Sequence, residues 1–198
     1  MSQVLTEVSR IAGLQVVESR NARRVIAVMV FALLTALSAH VAFPLPGTAV
    51  PVTLQTLVVT LGGLLLGPYL GAAAQVAYLA AGVAGLPMFT FGGGFAYLMG
   101  PTGGYLLAFP VAAALTGVLA GPAARTEGVR GFLRMAAVMV VTTGIILGLG
   151  ATQLALLTGD IGRAIELGVL PFLLGDVVKI ALAALIALKL RRRTLEQL

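Results

Sequence analysis

Residues 167–190 read LGVLPFLLGDVVKIALAALIALKL, an apolar run that carries one acid, Asp176, and one base, Lys179, ahead of its basic end. Some twenty apolar residues in helical form are enough to cross a bilayer. Three residues apart on a helix means one face, so Asp176 and Lys179 can reach each other. In a membrane span each such charge costs roughly 2.5–3.5 kcal/mol on insertion scales before a partner is counted. A chain tolerates that cost where the charges face protein, a cavity or a ligand. The pair is therefore expected to hold something polar inside the membrane. The plainer reading is a salt bridge that fixes helix packing.

The rest of the chain agrees with a membrane setting. Of 198 residues 59% are hydrophobic and 10% charged, with a mean hydropathy of +1.05. A soluble domain averages about 25% charged residues, so this chain cannot dress a water-facing surface. An all-α integral membrane protein of one domain, residues 1–198, is expected. It divides into an N-terminal amphipathic helix and basic linker (1–24), a six-helix bundle (25–190) and a basic tail (191–198). The arginines of the N-terminal stretch follow Glu7 and Glu18 with no short apolar core and cleavage site, so no secretory signal is read there. With no cysteine, disulfides and thiolate chemistry are excluded. A single histidine and no Glu–His cluster give no metal centre. There is no G-x-x-x-x-G-K-[ST] phosphate loop and no nucleophile–base set, so neither ATP hydrolysis nor other enzyme chemistry is expected of the chain itself.

Residues 1–19 place Val4, Leu5, Val8, Ile11 and Ala12 at helical spacing, as in a helix lying on the membrane surface. Six spans follow: about Val25–Phe43, Pro51–Gly67, Tyr69–Ala84, Tyr105–Ala120, Phe132–Leu157 and Leu167–Leu190. Pro44-Leu45-Pro46-Gly47 and Gly67-Pro68 mark turns. Asp160 is a candidate cap for a short helix over 160–167. The charges test the count. Arg10, Arg20, Arg23 and Arg24 precede the first span; Arg125, Arg130 and Arg134 lie between the fourth and fifth; Lys189 and Arg191–Arg193 follow the sixth. Six spans put all eleven on one side, the cytoplasmic one by the positive-inside rule, with both termini. These positions also argue against nucleic acid as the partner of the +6 net charge. Asp176 then lies nine residues in from the outer end of the last span, about 13 Å deep at ~1.5 Å per residue.

Between the third and fourth spans stands a glycine–aromatic loop, Gly85 to Gly104. Phe89, Phe91, Phe95 and Tyr97 are candidates to cover an apolar ring system, and the Gly92-Gly93-Gly94 run lets the backbone approach a ligand closely. An interfacial aromatic belt is the competing reading. Thr53 and Gln55 stand at the opening of the second span as candidate ligand partners, or as bonds between helices. Gln75, Thr142, Thr143, Thr152 and Gln153 read as helix–helix contacts, and His40 as a satisfied residue near the membrane edge. Ala32 and Ala36 form a small-residue stripe on the first span; ordinary packing within the chain is the simpler explanation.

Several motifs together resemble the BioY family, the biotin-specific substrate-binding (S) components of energy-coupling factor (ECF) transporters. They are Pro51-Val52-Thr53-Leu54-Gln55-Thr56-Leu57, Leu64–Pro68, Tyr78 to Pro87, the triple glycine, Gly100-Pro101-Thr102-Gly103-Gly104-Tyr105 and Pro171 to Lys179. The likeness runs from about Ala32 to Lys179. It implies a six-helix S-component fold in a prokaryotic cytoplasmic membrane, with biotin as the transported ligand near the outer face and no cofactor. It also implies partners: a transmembrane coupling protein and two ABC ATPases. The family's ligand contacts map onto Asp176, Lys179 and Tyr105, and its docking stripe onto Ala32 and Ala36. Biotin's ureido group carries N–H donors and a carbonyl, which suits Asp176 as acceptor and Lys179 as donor. Phe89, Phe91 and Tyr105 are expected to wall the rings. Arg163, Lys179 or the Gly92–Gly94 amides are left to meet the carboxylate, since no arginine lies in 85–105. An S component for thiamine or riboflavin, or a non-transporting structural subunit, are the alternatives.

Overall fold

The computed structural model describes residues 19–123 and 128–197. The expected surface helix over 1–19 lies outside these residues apart from Ser19, as does Arg125. The elements are α1 (Arg20–His40), β1 (Ala42–Phe43), β2 (Val52–Thr53), α2 (Gln55–Val83), α3 (Phe95–Leu98), α4 (Gly103–Ala123), α5 (Gly128–Thr158), α6 (Ile161–Gly168) and α7 (Leu170–Gln197). Ser19 caps α1 by accepting from the Ala22 N–H. Beyond α1 the chain makes a two-strand ribbon, unforeseen in the sequence, with Ala42 opposite Thr53 and Phe43 opposite Val52. The Pro-rich turn expected at 44–47 is the connection between these strands.

The two spans expected at 51–67 and 69–84 meet in one helical element. Inside α2, Gly67 adopts φ 80°, ψ −179°, and Pro68 follows it. Pro68 has no N–H to continue the helix, and positive φ is open to glycine at little cost. The chain doubles back there. A Cβ added to Gly71 would stand 2.9 Å from the Gly63 Cα, and the Gln55 side chain bonds Tyr78, 23 positions away. Both are incompatible with a straight helix rising 1.5 Å per residue. Gly63 also meets the Ala113 backbone of α4, so glycine at this position lets three helical segments converge.

Among the described residues four helices, α1, α2, α4 and α5, are long and apolar enough to cross a membrane. A fifth is added if α6 and α7, bent by 40° at their break, form one span. Six separate crossings were expected; the reversal at Gly67 sits within a continuous helical run, so length and apolarity count α2 once. Asp160 caps α6 as expected, its Oδ1 accepting from the Arg163 N–H at 3.1 Å. The doubled α2 packs on α1, α4 and α7, while α5 packs on α4, α6 and α7. Large apolar side chains such as Leu156 and Leu174 are more than 80% exposed, a cost in water but none against lipid tails.

Inside, two clusters divide the bundle. Leu64, Ala120, Met135, Met139, Ala183 and Ala184 fill one. The other is aromatic, built on Tyr78, Phe89, Tyr105, Phe109 and Phe172. Ala32 and Ala36 belong to this second cluster, at 3% and 5% exposure. Their stripe therefore packs within the chain, the simpler of the two readings of these small residues. The face of α1 that stays open carries Val25, Met29, Leu33 and Leu37 instead.

Candidate ligand-binding site

Asp176 and Lys179 lie one turn apart on α7, and burial leaves them 4% and 7% exposed. Lys179 Nζ donates to Asp176 Oδ1 at 2.8 Å. Across the helix interface, the Thr56 hydroxyl at the start of α2 joins both: it accepts from Lys179 at 3.2 Å and lies 3.3 Å from Asp176 Oδ1. One carboxylate oxygen is thus fully engaged. The other, Asp176 Oδ2, is buried and has no hydrogen-bond partner among the described residues. An unsatisfied buried acceptor costs free energy comparable to a lost hydrogen bond, more when charged. The pair is consequently an ion pair with one acceptor left over.

Lys179 lines a cavity at the end of the bundle where α1 gives way to the ribbon and where α4 and α7 begin. Its polar wall is Thr53, Gln55, Thr56, Thr90, Thr102 and Lys179; its rings are Tyr97, Tyr105, Phe109 and Phe172. Val50 and Pro51, from the connection between the strands, close one side. Gln55 is held from two directions: its Oε1 accepts from Thr53 Oγ1 at 3.1 Å and its Nε2 donates to Tyr78 at 2.8 Å. An amide so fixed offers a ligand one further N–H and one further lone pair. Tyr105 turns its ring to the cavity while its hydroxyl donates to the Gly168 carbonyl at 2.7 Å. That bond ties α4 to the break between α6 and α7. The free space is about 50 Å³, well below the ~300–1,000 Å³ of small-molecule sites. A drug-sized ligand therefore needs a wall to move.

Of the residues singled out in the sequence, Lys179, Thr53, Gln55 and Tyr105 line this cavity, and Asp176 stands behind its wall, bonded to Lys179 and Thr56. Phe89 and Phe91 do not line the cavity. Phe89 is fully buried behind it, its ring edge-on to Tyr78 at 5.6 Å and tilted against Tyr97 at 4.9 Å. Phe91 is 70% exposed on the far side of its turn. Gly93 packs against the Leu86 carbonyl. Its neighbours' amides are already spent: the Gly92 N–H on Phe89 O, the Gly94 N–H on Gly82 O. Arg163 is exposed beside Asp160 and Glu166 in a separate surface cleft. His40 holds the loop, its Nε2 3.2 Å from the Pro87 carbonyl. Thr56, Phe109 and Phe172 were missed as site residues. Thr56 had a signal: it belongs to the same Pro51–Leu57 motif as Thr53 and Gln55.

The BioY family model matches residues 9–196. A probable biotin transporter BioY of Pyrococcus horikoshii is 37% identical over 175 residues, covering 88% of this chain and 99% of that protein. The chain belongs to the BioY family. The biotin transporter BioY of Thermotoga maritima is 38% identical over 176 residues, with the same coverage of both chains. The solved S-component for biotin from an ECF-type ABC transporter superposes with a TM-score of 0.81. It is 23% identical and covers 88% of this chain and 94% of that one. The fold of this BioY-family chain is accordingly that of an ECF S component. Both the Asp176–Lys179 pair and the Gly100–Tyr105 turn fall inside the matched region.

Proposed function

We propose that this chain is the substrate-specific subunit of an ECF-type transporter, binding biotin with high affinity for uptake across a prokaryotic cytoplasmic membrane. The observation that carries the reading is the ion pair whose base lines a ring-walled cavity and whose acid keeps one buried oxygen without a donor. A ureido N–H would supply that donor, and a charge-assisted hydrogen bond is about twice as strong as a neutral one. Lys179 would donate to a ligand oxygen, while Tyr97, Tyr105, Phe109 and Phe172 enclose the apolar sulfur ring. The Gly85–Gly104 loop and the 44–51 connection would move outward to admit the ligand and close over it. Near-complete coverage of relatives named biotin transporters supports the choice of vitamin.

We read the two arms of α2 as separate crossings, and α6 with α7 as one, which would make six crossings with both termini on the cytoplasmic side. The basic residues at 20–24, 125–134 and 189–193 fit that orientation. The chain has no phosphate-binding loop, so energy would come from a transmembrane coupling protein and two ABC ATPases. Purified protein in detergent tests the vitamin directly. Labelled biotin should bind saturably at one site per chain and be displaced by unlabelled biotin but not by thiamine or riboflavin. Displacement by either of those instead, or no saturable binding by folded protein, would overturn the reading.

A further inference from the structure

The Gly100-Pro101-Thr102-Gly103-Gly104-Tyr105 run is held by a side chain that does not touch the cavity. Gln153 lies on α5, one turn past Gly150, partly buried. Its Nε2 donates to the Leu98 carbonyl at 2.8 Å and to the Gly100 carbonyl at 2.6 Å. A primary amide has two N–H donors, and both are spent on a single turn of backbone. Two glycines lie against the amide and the backbone around it: a Cβ on Gly103 would meet the Leu98 carbonyl first and stand 2.7 Å from Gln153 Nε2, and one on Gly104 would stand 2.5 Å from the Leu149 carbonyl and 2.8 Å from Gln153 Cβ. The double glycine of the motif thus lets the turn pack on its own Leu98 carbonyl, on the α5 backbone and on Gln153 together.

What this clasp fixes is one side of the cavity. Tyr97 precedes the clasped carbonyls, Thr102 follows them, and Tyr105 and Leu106 open α4 immediately after; all four line the cavity. Beside the clasp, the segment is held by the buried Leu98 side chain and by short local turns such as Gly100 N–H to Tyr97 O at 3.2 Å and Gly103 N–H to Gly100 O at 3.2 Å. We propose that Gln153 is a positioning residue for the ligand site, setting the place of Tyr97, Thr102 and Tyr105 from behind by anchoring the loop to α5. The inference rests on the biotin-binding reading above and adds a residue outside the cavity to it.

Two variants and two readouts test it. Gln153→Met keeps the size and removes both donors; Gln153→Glu keeps the shape and turns an acceptor towards two carbonyls. In ligand-free protein, amide hydrogen exchange over 98–103 should speed up roughly tenfold or more in Gln153→Met, with exchange elsewhere unchanged. Biotin should bind Gln153→Met at least about tenfold more weakly, mainly through faster dissociation, at a temperature where the variant is fully folded. Gln153→Glu should be weaker still. A role confined to stability would lower the melting temperature and leave the affinity of folded protein unchanged, and that result overturns the proposal. If Gln153→Met is not recovered folded, exchange over 98–103 in the unsubstituted protein decides: slowing on addition of biotin supports the proposal, no change overturns it. Failure of the unsubstituted protein to bind biotin counts against the functional reading. The clasp is then judged on ligand-free exchange alone, and unchanged rates in Gln153→Met overturn it.

Discussion

Asp176→Asn separates a ligand site from a packing clasp because it alters one atom that matters and few that do not. In the native protein Asp176 Oδ1 receives Lys179 at 2.8 Å and lies 3.3 Å from the Thr56 hydroxyl. An asparagine carbonyl can accept from both, so the contact between α2 and α7 survives in shape. The change falls on Oδ2, the buried oxygen without a donor, which becomes an N–H₂ group. If a ureido N–H normally docks there, two donors now face each other. The loss is a hydrogen bond to a charged group, about 1.5–3 kcal/mol, or roughly 10- to 150-fold in Kd at 1.4 kcal/mol per decade. Removing the acid's charge also weakens the hold on a buried Lys179, so some stability is lost; breaking a buried pair outright costs about 3–5 kcal/mol. Calorimetric titration of biotin into protein in detergent, run beside a thermal unfolding curve, reads both effects. Binding within twofold of the native value, in a protein that still folds, would refute the role given to Asp176.

Four other changes test separate parts of the structure. Gly67→Ala forces an L residue to φ near +80° with extended ψ, a strain of about 1–3 kcal/mol, so the melting temperature in detergent should fall. Tyr105→Phe leaves the Gly168 carbonyl without its 2.7 Å donor; a loss of about 1–3 kcal/mol in stability and a measurable drop in biotin affinity are expected in the same titration. Ala32→Leu crowds a position only 3% exposed and should destabilise the isolated chain by about 1–3 kcal/mol. Leu33→Ala, on the neighbouring open face, should move the unfolding curve by no more than about 0.5 kcal/mol.

Legibility in the sequence followed how local each signal was. The Gly67-Pro68 reversal and the Asp160 cap are set by a few adjacent residues, and both stand where the sequence put them. Asp176 and Lys179 were readable for the same reason, since an i, i+3 spacing fixes a shared face without knowledge of neighbouring helices. Phe109 reaches the cavity from α4, and nothing local says which face of that helix turns towards α7; Phe172 was within reach, since it stands one turn before Asp176 on α7 itself. The glycine–aromatic loop misled at Phe89 and Phe91 because positive-φ glycines at 85, 92 and 94 redirect the chain at each step. Composition does not tell which ring turns inward. The Ala32–Ala36 stripe shows a second limit: small residues permit close approach, but only the fold decides that the approaching helix is the chain's own α2.

The most direct test is a structure of the protein saturated with biotin. The ureido N–H should lie about 2.7–3.2 Å from Asp176 Oδ2, with Lys179 beside a ligand oxygen and the rings of Tyr105 and Phe172 against the ligand. Biotin seated elsewhere, with Asp176 and Lys179 still bonded only to Thr56 and to each other, would contradict the claim that this buried pair exists to hold a ligand.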